Sequence, residues 1–133
     1  MFEHSESQEM YLSTIYMLQK KNGMVCLTDV AVERGYSKAS AHNAMKRLVD
    51  FGYIKFSKGK IALTKKGTEK VKNIEQKHKT IANALKLIGA NDDIAEENAC
   101  RMEHVITDEA AALLQLYVEQ QTILQESKLT EAL

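Results

Sequence analysis

No proline occurs anywhere in the 133 residues, so no helix here meets the residue that most strongly breaks one. Usage of about 5% would place several prolines in a chain this long. Punctuation falls instead to six glycines. The stretches between them read as long, uninterrupted helices with one short extended interlude, a mostly α chain. Hydrophobic residues make up 44% and charged residues 27%, enough for a packed core and too apolar for disorder. At 15.0 kDa the chain is one domain or two closely fused ones. No apolar run reaches the roughly 18–20 residues that a membrane span needs, so no membrane partner is expected. Met1, Phe2, Glu3, His4 and Ser5 offer neither a positive patch nor an apolar stretch, and no signal peptide is expected. Two cysteines, Cys26 and Cys100, make no disulfide framework, which points to a reducing cytoplasm.

The order of elements is more specific than the composition. Residues 5–22 repeat apolar and aromatic side chains at helical spacing up to Gly23. Met24-Val25-Cys26-Leu27 suits a small strand. Thr28 suits the N-cap of a short helix that ends before Gly35. Ser37 caps a second helix, Lys38 to about Phe51, with Ala41, Met45, Leu48 and Val49 turned inward and Gly52 as its stop. Two helices joined by a tight glycine-containing turn are a helix-turn-helix. Tyr53–Phe56 and Lys60–Leu63 then form a hairpin around Ser57-Lys58-Gly59, which makes the unit a winged helix with a lysine-rich tip. Thr64 caps a long helix to about Leu87, Asn91 one from Asp92 to about Ile106, and Thr107 one from Asp108 to about Gln125, after which the tail is expected to fray. The expected division is a winged-helix domain over residues 1–70 and an all-helical domain over 71–133.

Net charge is zero, yet the charge is not evenly spread. From Arg34 to Lys79 thirteen Lys/Arg face three acids, a net of +10, while the flanks carry −3 and −7. A basic block of that density points to a polyanion. With Ala41, Met45 and Leu48 inward, Lys38, Ala39, Ser40, Asn43, Lys46 and Arg47 occupy the other faces of the second helix. Asn43 can pair bidentately with adenine, and Ser40 can reach a base or a phosphate. Lys58 and Lys60 on the wing, with Lys38, Arg47, Lys55 and Lys65, would lie along the phosphate backbone, and the cap residue Ser37 is also expected at the DNA. The competing reading is a solvated charged face on a protein-docking module. The charge block coincides with the motif, which favours double-stranded DNA.

Cys100, Glu103 and His104 fall at i, i+3 and i+4 of an expected helix, with Glu96 one turn earlier. A thiolate, a carboxylate and an imidazole on one face suit a borderline-soft divalent ion such as iron, cobalt, nickel or zinc. A structural cysteine beside a solvated acidic edge would leave the same spacing. Cys100 as a reactive thiol, its pKa lowered by His104, is the rival functional reading. No nucleophile motif or phosphate loop suggests an enzyme.

Glu9-Met10-Tyr11-Leu12 followed by Ile15-Tyr16, a winged helix ending Leu63-Thr64-Lys65-Lys66-Gly67, the Lys77-His78 pair, and Ala99-Cys100-Arg101-Met102-Glu103-His104-Val105 together resemble the DtxR/MntR family of metal-dependent transcriptional repressors. The likeness runs from about residue 5 to about residue 115. It implies a homodimer bound to a palindromic operator, with metal where the two parts meet. The iron-responsive branch's main ligands fall on Met10, Cys100, Glu103 and His104. The manganese branch has acids where this chain has Met10 and Ser13, and a glutamate in place of Cys100. The softer set implies Fe(II) first and Mn(II) next. Of the iron branch's ancillary site His78 matches, while Ala82 replaces a glutamate and Glu96 a histidine. The iron branch's SH3-like domain is not among these 133 residues. The helices of residues 80–125 carry more apolar surface than one small domain buries. Leu85, Ile88, Val105, Leu113, Leu114, Leu116 and Tyr117 are therefore the expected dimer surface, with some of them in the internal core.

Overall fold

The structure is a computed structural model that describes residues 2–132, with side chains from Glu6 to Glu131. The side chains of Met1 to Ser5, on which the leader expectation rests, lie outside the described residues. Helix α1 spans Phe2–Asn22, strand β1 Val25–Cys26, α2 Leu27–Arg34 and α3 Lys38–Asp50. The hairpin strands are β2 Ile54–Ser57 and β3 Lys60–Leu63. Three longer helices follow: α4 Lys65–Leu87, α5 Asp92–Met102 and α6 Asp108–Ala132. The chain divides into two compact units, one up to Ile74 and one from Glu75.

The first unit is a winged helix built on a continuous core. Leu12, Ile15, Val25, Val30, Ala41, Met45 and Leu48 are all fully buried in one cluster. Ala44 joins that face of α3, whereas Val49, expected inward, is 41% exposed. It lies one residue beyond Leu48, past the edge of the buried stripe. Helix α2 starts earlier than expected. Its N-cap is Cys26 rather than Thr28, because Asp29 returns its carboxylate to the Cys26 N–H at 2.9 Å. The sheet has three strands in the order β1-β3-β2, with Val25 opposite Ile61 and Ile54 opposite Leu63. The β2–β3 turn is Lys58-Gly59 alone. Both residues have positive φ, +51° and +75°, as a two-residue primed turn requires. At the start of α4, a Cβ on Gly67 would sit 2.0 Å from the Tyr53 carbonyl oxygen, so only glycine allows this approach of helix to wing. Thr64 fills its expected role by accepting from the Gly67 N–H at 3.1 Å, while its hydroxyl donates to the Gly52 carbonyl at 2.6 Å.

The second unit packs around small residues. Ile81, Ala82, Ala95 and Ala99 form its buried cluster, with Leu85, Ala90, Ile106 and Leu114 packed against it. Asn91 caps α5 through Ile94 and Thr107 caps α6 through Ala110, as the sequence indicates. Two lengths depart from expectation. Helix α5 ends at Met102 instead of near Ile106, and α6 continues to Ala132 where fraying was expected after Glu126. Buried Lys77 holds the α5–α6 turn by donating to the Ile106 carbonyl at 3.1 Å while pairing with Asp108 at 2.8 Å. These ties reach a specific turn from a residue 29 positions earlier, which helical periodicity alone does not register.

Candidate metal centre and nucleic-acid interface

Three donors of different chemistry converge in the second unit. His78 from α4, Cys100 from α5 and Glu103 just past the end of α5 each offer a ligand atom, all within 4.8 Å of one another. Glu103 is helical in backbone (φ −58°, ψ −26°), which keeps the expected i, i+3 relation to Cys100. His104 lies in the turn beyond the helix instead of on its stripe, and reaches Glu103 Oε1 with its Nε2 at 3.3 Å. The expected one-face set is therefore rearranged: the imidazole that completes the compact trio is His78, with His104 adjoining through Glu103.

His78 lies between two carboxylates. Its Nδ1 is 2.7 Å from Glu103 Oε2 and its Nε2 is 2.5 Å from Glu96 Oε2. Only an imidazolium can donate from both nitrogens at once. Burial alone would depress the His78 pKa. The hydrogen bonds to Glu96 and Glu103, with their negative charges, outweigh burial and raise it above the ordinary value. Glu96 is lowered in turn, by its bond to His78 and by the nearby charges of His78 and Lys86. Cys100 is exposed as a residue, yet its thiol is pushed up by partial desolvation and by the charges of Glu103 and Glu96. A raised thiol pKa is the opposite of what a thiolate-based sensor needs, and counts against the redox reading.

The donor set fits a divalent transition metal. Ligand bonds of about 2.0–2.3 Å bring donor atoms about 3–4 Å apart around an ion, close to the spacing present. Thiolate with imidazole selects the softer first-row ions, and the carboxylates supply charge. Ala82, at the expected ancillary glutamate position, is 2% exposed inside the small-residue core, where a glutamate has no room. Glu96 remains beside His78, but His78 also binds Glu103. The two ligand sets kept apart by the resemblance thus share one imidazole. Residue 78 lies on α4 and residue 103 just past the end of α5, so no local spacing could have revealed this.

The other expected ligand, Met10, belongs to the first unit. Its thioether accepts from Arg34 Nη2 at 3.8 Å. Sequence reasoning gave Arg34 no role, and a contact 24 residues apart leaves no periodic trace.

The basic residues of the first unit are disposed as a nucleic-acid interface would need. Lys38, Ala39, Ser40, Asn43, Lys46 and Arg47 are exposed on α3, and Lys58 and Lys60 on the wing. Ser37 is also a structural cap: it accepts from the Ser40 N–H at 3.1 Å and donates to the Ser40 hydroxyl at 3.0 Å. His42 is partly covered by Phe56, their rings edge-on with centroids 5.5 Å apart.

A winged helix with an exposed basic face, joined to a helical unit carrying a soft-metal donor set, defines a metal-linked DNA-binding regulator. Residues 3–62 match the family described as iron dependent repressor, N-terminal DNA binding domain. Residues 64–123 match iron dependent repressor, metal binding and dimerisation domain. An uncharacterised helix-turn-helix-type transcriptional regulator of Methanocaldococcus jannaschii is 35% identical over 118 residues, covering 86% of this chain and 94% of that protein. The transcriptional regulator MntR of Shouchella clausii is 27% identical over 121 residues, covering 87% and 85%. A hypothetical protein of Sulfolobus solfataricus shares the fold, with a TM-score of 0.76 at 21% identity over 87% of this chain and 90% of that one. The chain belongs to the DtxR/MntR family of metal-dependent transcriptional repressors. These are DNA-binding regulators and not enzymes. No helix among the described residues is long and apolar enough to cross a membrane.

Proposed function

We propose that this chain is a cytoplasmic, Fe(II)-responsive repressor whose effector centre is His78, Cys100 and Glu103, completed by His104 and Glu96 and by the Met10 thioether of the DNA-binding unit. The supporting observation is the convergence of imidazole, thiol and carboxylate within 4.8 Å. Mn(II) is the next effector, because the carboxylates suit it and the sulfur donors do not. A bound ion would cross-link these donors and offset their negative charge. Residues 1–70 read DNA, and 71–133 bind metal and pair two copies. Ser37, Lys38, Ala39, Ser40, Asn43 and Arg47 meet a palindromic operator, with Lys58 and Lys60 on its backbone. Asn43 serves as the base reader, and the cations set the salt dependence. Metal and operator then reinforce each other by a coupling that is equal in both directions.

The test is operator binding at fixed salt with Fe(II), Mn(II), Zn(II) or chelator. Fe(II) should give the largest gain, and a flat response across all four would remove the sensor function while leaving DNA binding. Cys100→Ala with Glu103→Ala should leave a folded dimer whose operator affinity no longer responds to metal. A wild-type response from that double variant would overturn the site.

A further inference from the structure

Within the first unit, beyond the buried face of α1, two consecutive α1 residues reach the turn of the helix-turn-helix. Met10 receives the Arg34 guanidinium on its sulfur at 3.8 Å. Tyr11, the next residue, packs its ring against Tyr36 with centroids 6.0 Å apart. Arg34 closes α2, Gly35 takes the left-handed conformation at φ +69°, and Tyr36 immediately precedes the Ser37 cap of α3. The Arg34 guanidinium lies 5.8 Å from the Tyr36 ring centroid, so the two contacts are themselves joined. Arg34 Nε is buried with no hydrogen-bond partner among the described residues. That guanidinium therefore leaves one donor unused, in a place where a lost bond costs free energy.

A guanidinium on the Met10 sulfur and a divalent cation on the same sulfur are incompatible neighbours. Both draw on the same lone pairs, and like charges about 4 Å apart repel even in a high-dielectric setting. We propose that Arg34 is a positioning residue coupling Met10 to the helix-turn-helix: it occupies the thioether in the metal-free chain and is displaced when a metal takes the sulfur. The displacement falls on the turn that sets the start of α3, so capture of Met10 is registered where the DNA-reading helix begins. Operator binding in turn favours the arrangement with Arg34 off the sulfur. The inference rests on Met10 being a metal ligand, as proposed above.

The test uses the full chain with anaerobic Fe(II), and a palindromic duplex selected by the wild-type protein from a random pool. Arg34→Ala and Arg34→Gln, each checked for fold by circular dichroism and melting, should bind Fe(II) about fivefold tighter without DNA, the low end of ordinary coupling factors. With duplex bound, their Fe(II) affinity should equal wild type, so the metal-driven gain in DNA affinity falls by the same factor. In metal-free protein the 13C-methyl resonance of Met10 should shift in both variants. In a Met10→Leu background, Arg34→Ala should leave Fe(II) affinity unchanged. Folded Arg34 variants with wild-type or weaker Fe(II) affinity would overturn the proposal. So would a gain that persists without Met10. A Met10→Leu chain with wild-type Fe(II) affinity would instead remove the ligand assignment underneath and the proposal with it, whereas the Arg34 outcomes leave that assignment standing.

Discussion

The two units solve the same packing problem in opposite ways. The winged helix buries Leu12, Ile15, Met45 and Leu48 fully around one centre, while Val32 at 82% and Met24 at 58% remain exposed at its surface. The helical unit has a core of one isoleucine and three alanines, and leaves Ile88, Leu113, Leu116 and Tyr117 between 49% and 75% exposed. The first unit has a core of large side chains of its own, while the second, with a core of small residues, offers apolar surface that a second copy would cover. Its family description as a dimerisation domain agrees with that shape. Leu85 and Leu114, in the set expected to supply both dimer surface and internal core, are partly buried against the internal core, and Ile94, Ile123, Leu124 and Leu129 add exposed apolar area that was not anticipated.

The contrast can be broken first at its strong end. Leu48→Ala removes a fully buried side chain from the winged-helix core and should cost about 2–5 kcal/mol of stability, measured by urea unfolding. Leu113→Ala, at a residue 69% exposed in the single chain, should change a dilute monomer's stability by less than about 0.5 kcal/mol. A large loss from Leu113 and a small one from Leu48 would invert the comparison.

The next effect is on assembly. Leu116→Asp with Tyr117→Asp should weaken the dimer by about a hundredfold or more in sedimentation, because each charge would be buried twice in a symmetric interface. An unchanged dimer would place the interface elsewhere. At the metal centre, Glu96→Gln keeps the shape of the side chain that holds His78 and should weaken metal binding by about ten- to a hundredfold, read by chelator competition.

Smaller shifts come from protons and salt. His78 and Cys100 both have raised pKa values and must lose protons to ligate, so metal affinity should fall as pH drops from 8 to 6, by about tenfold per unit for each proton released. A pH-independent affinity would exclude both as ligands. Lys58→Ala should lower the salt slope of DNA binding by about one unit, with little effect on metal affinity, as follows from its proposed place on the phosphate backbone.

Much of this was legible from local pattern. Gly35, Gly52 and the Lys58-Gly59 turn mark the helix-turn-helix and its wing, because glycine and short turns act through the backbone of adjacent residues. Ser37, Thr64, Asn91 and Thr107 mark helix starts for the same reason: a cap satisfies an N–H two or three residues away. The basic faces of α3 and the wing follow from helical and strand periodicity once the buried set is known. Boundaries governed by remote contacts were not legible. Helix α5 stops at Met102, and Lys77, from another helix, ties the turn that follows.

The candidate site divides along the same line. Cys100 and Glu103 share a face by their spacing alone, and the sequence by itself determined that pairing. That His78 supplies the nearest imidazole, that Glu96 and Glu103 grip it from either side, and that Arg34 covers Met10 were decided only by tertiary structure. The physical reason is range. Backbone hydrogen bonding and side-chain periodicity act over a few residues, and sequence shows them directly. A ligand set gathered from separate helices depends on how each helix face is buried, and no single segment carries that information.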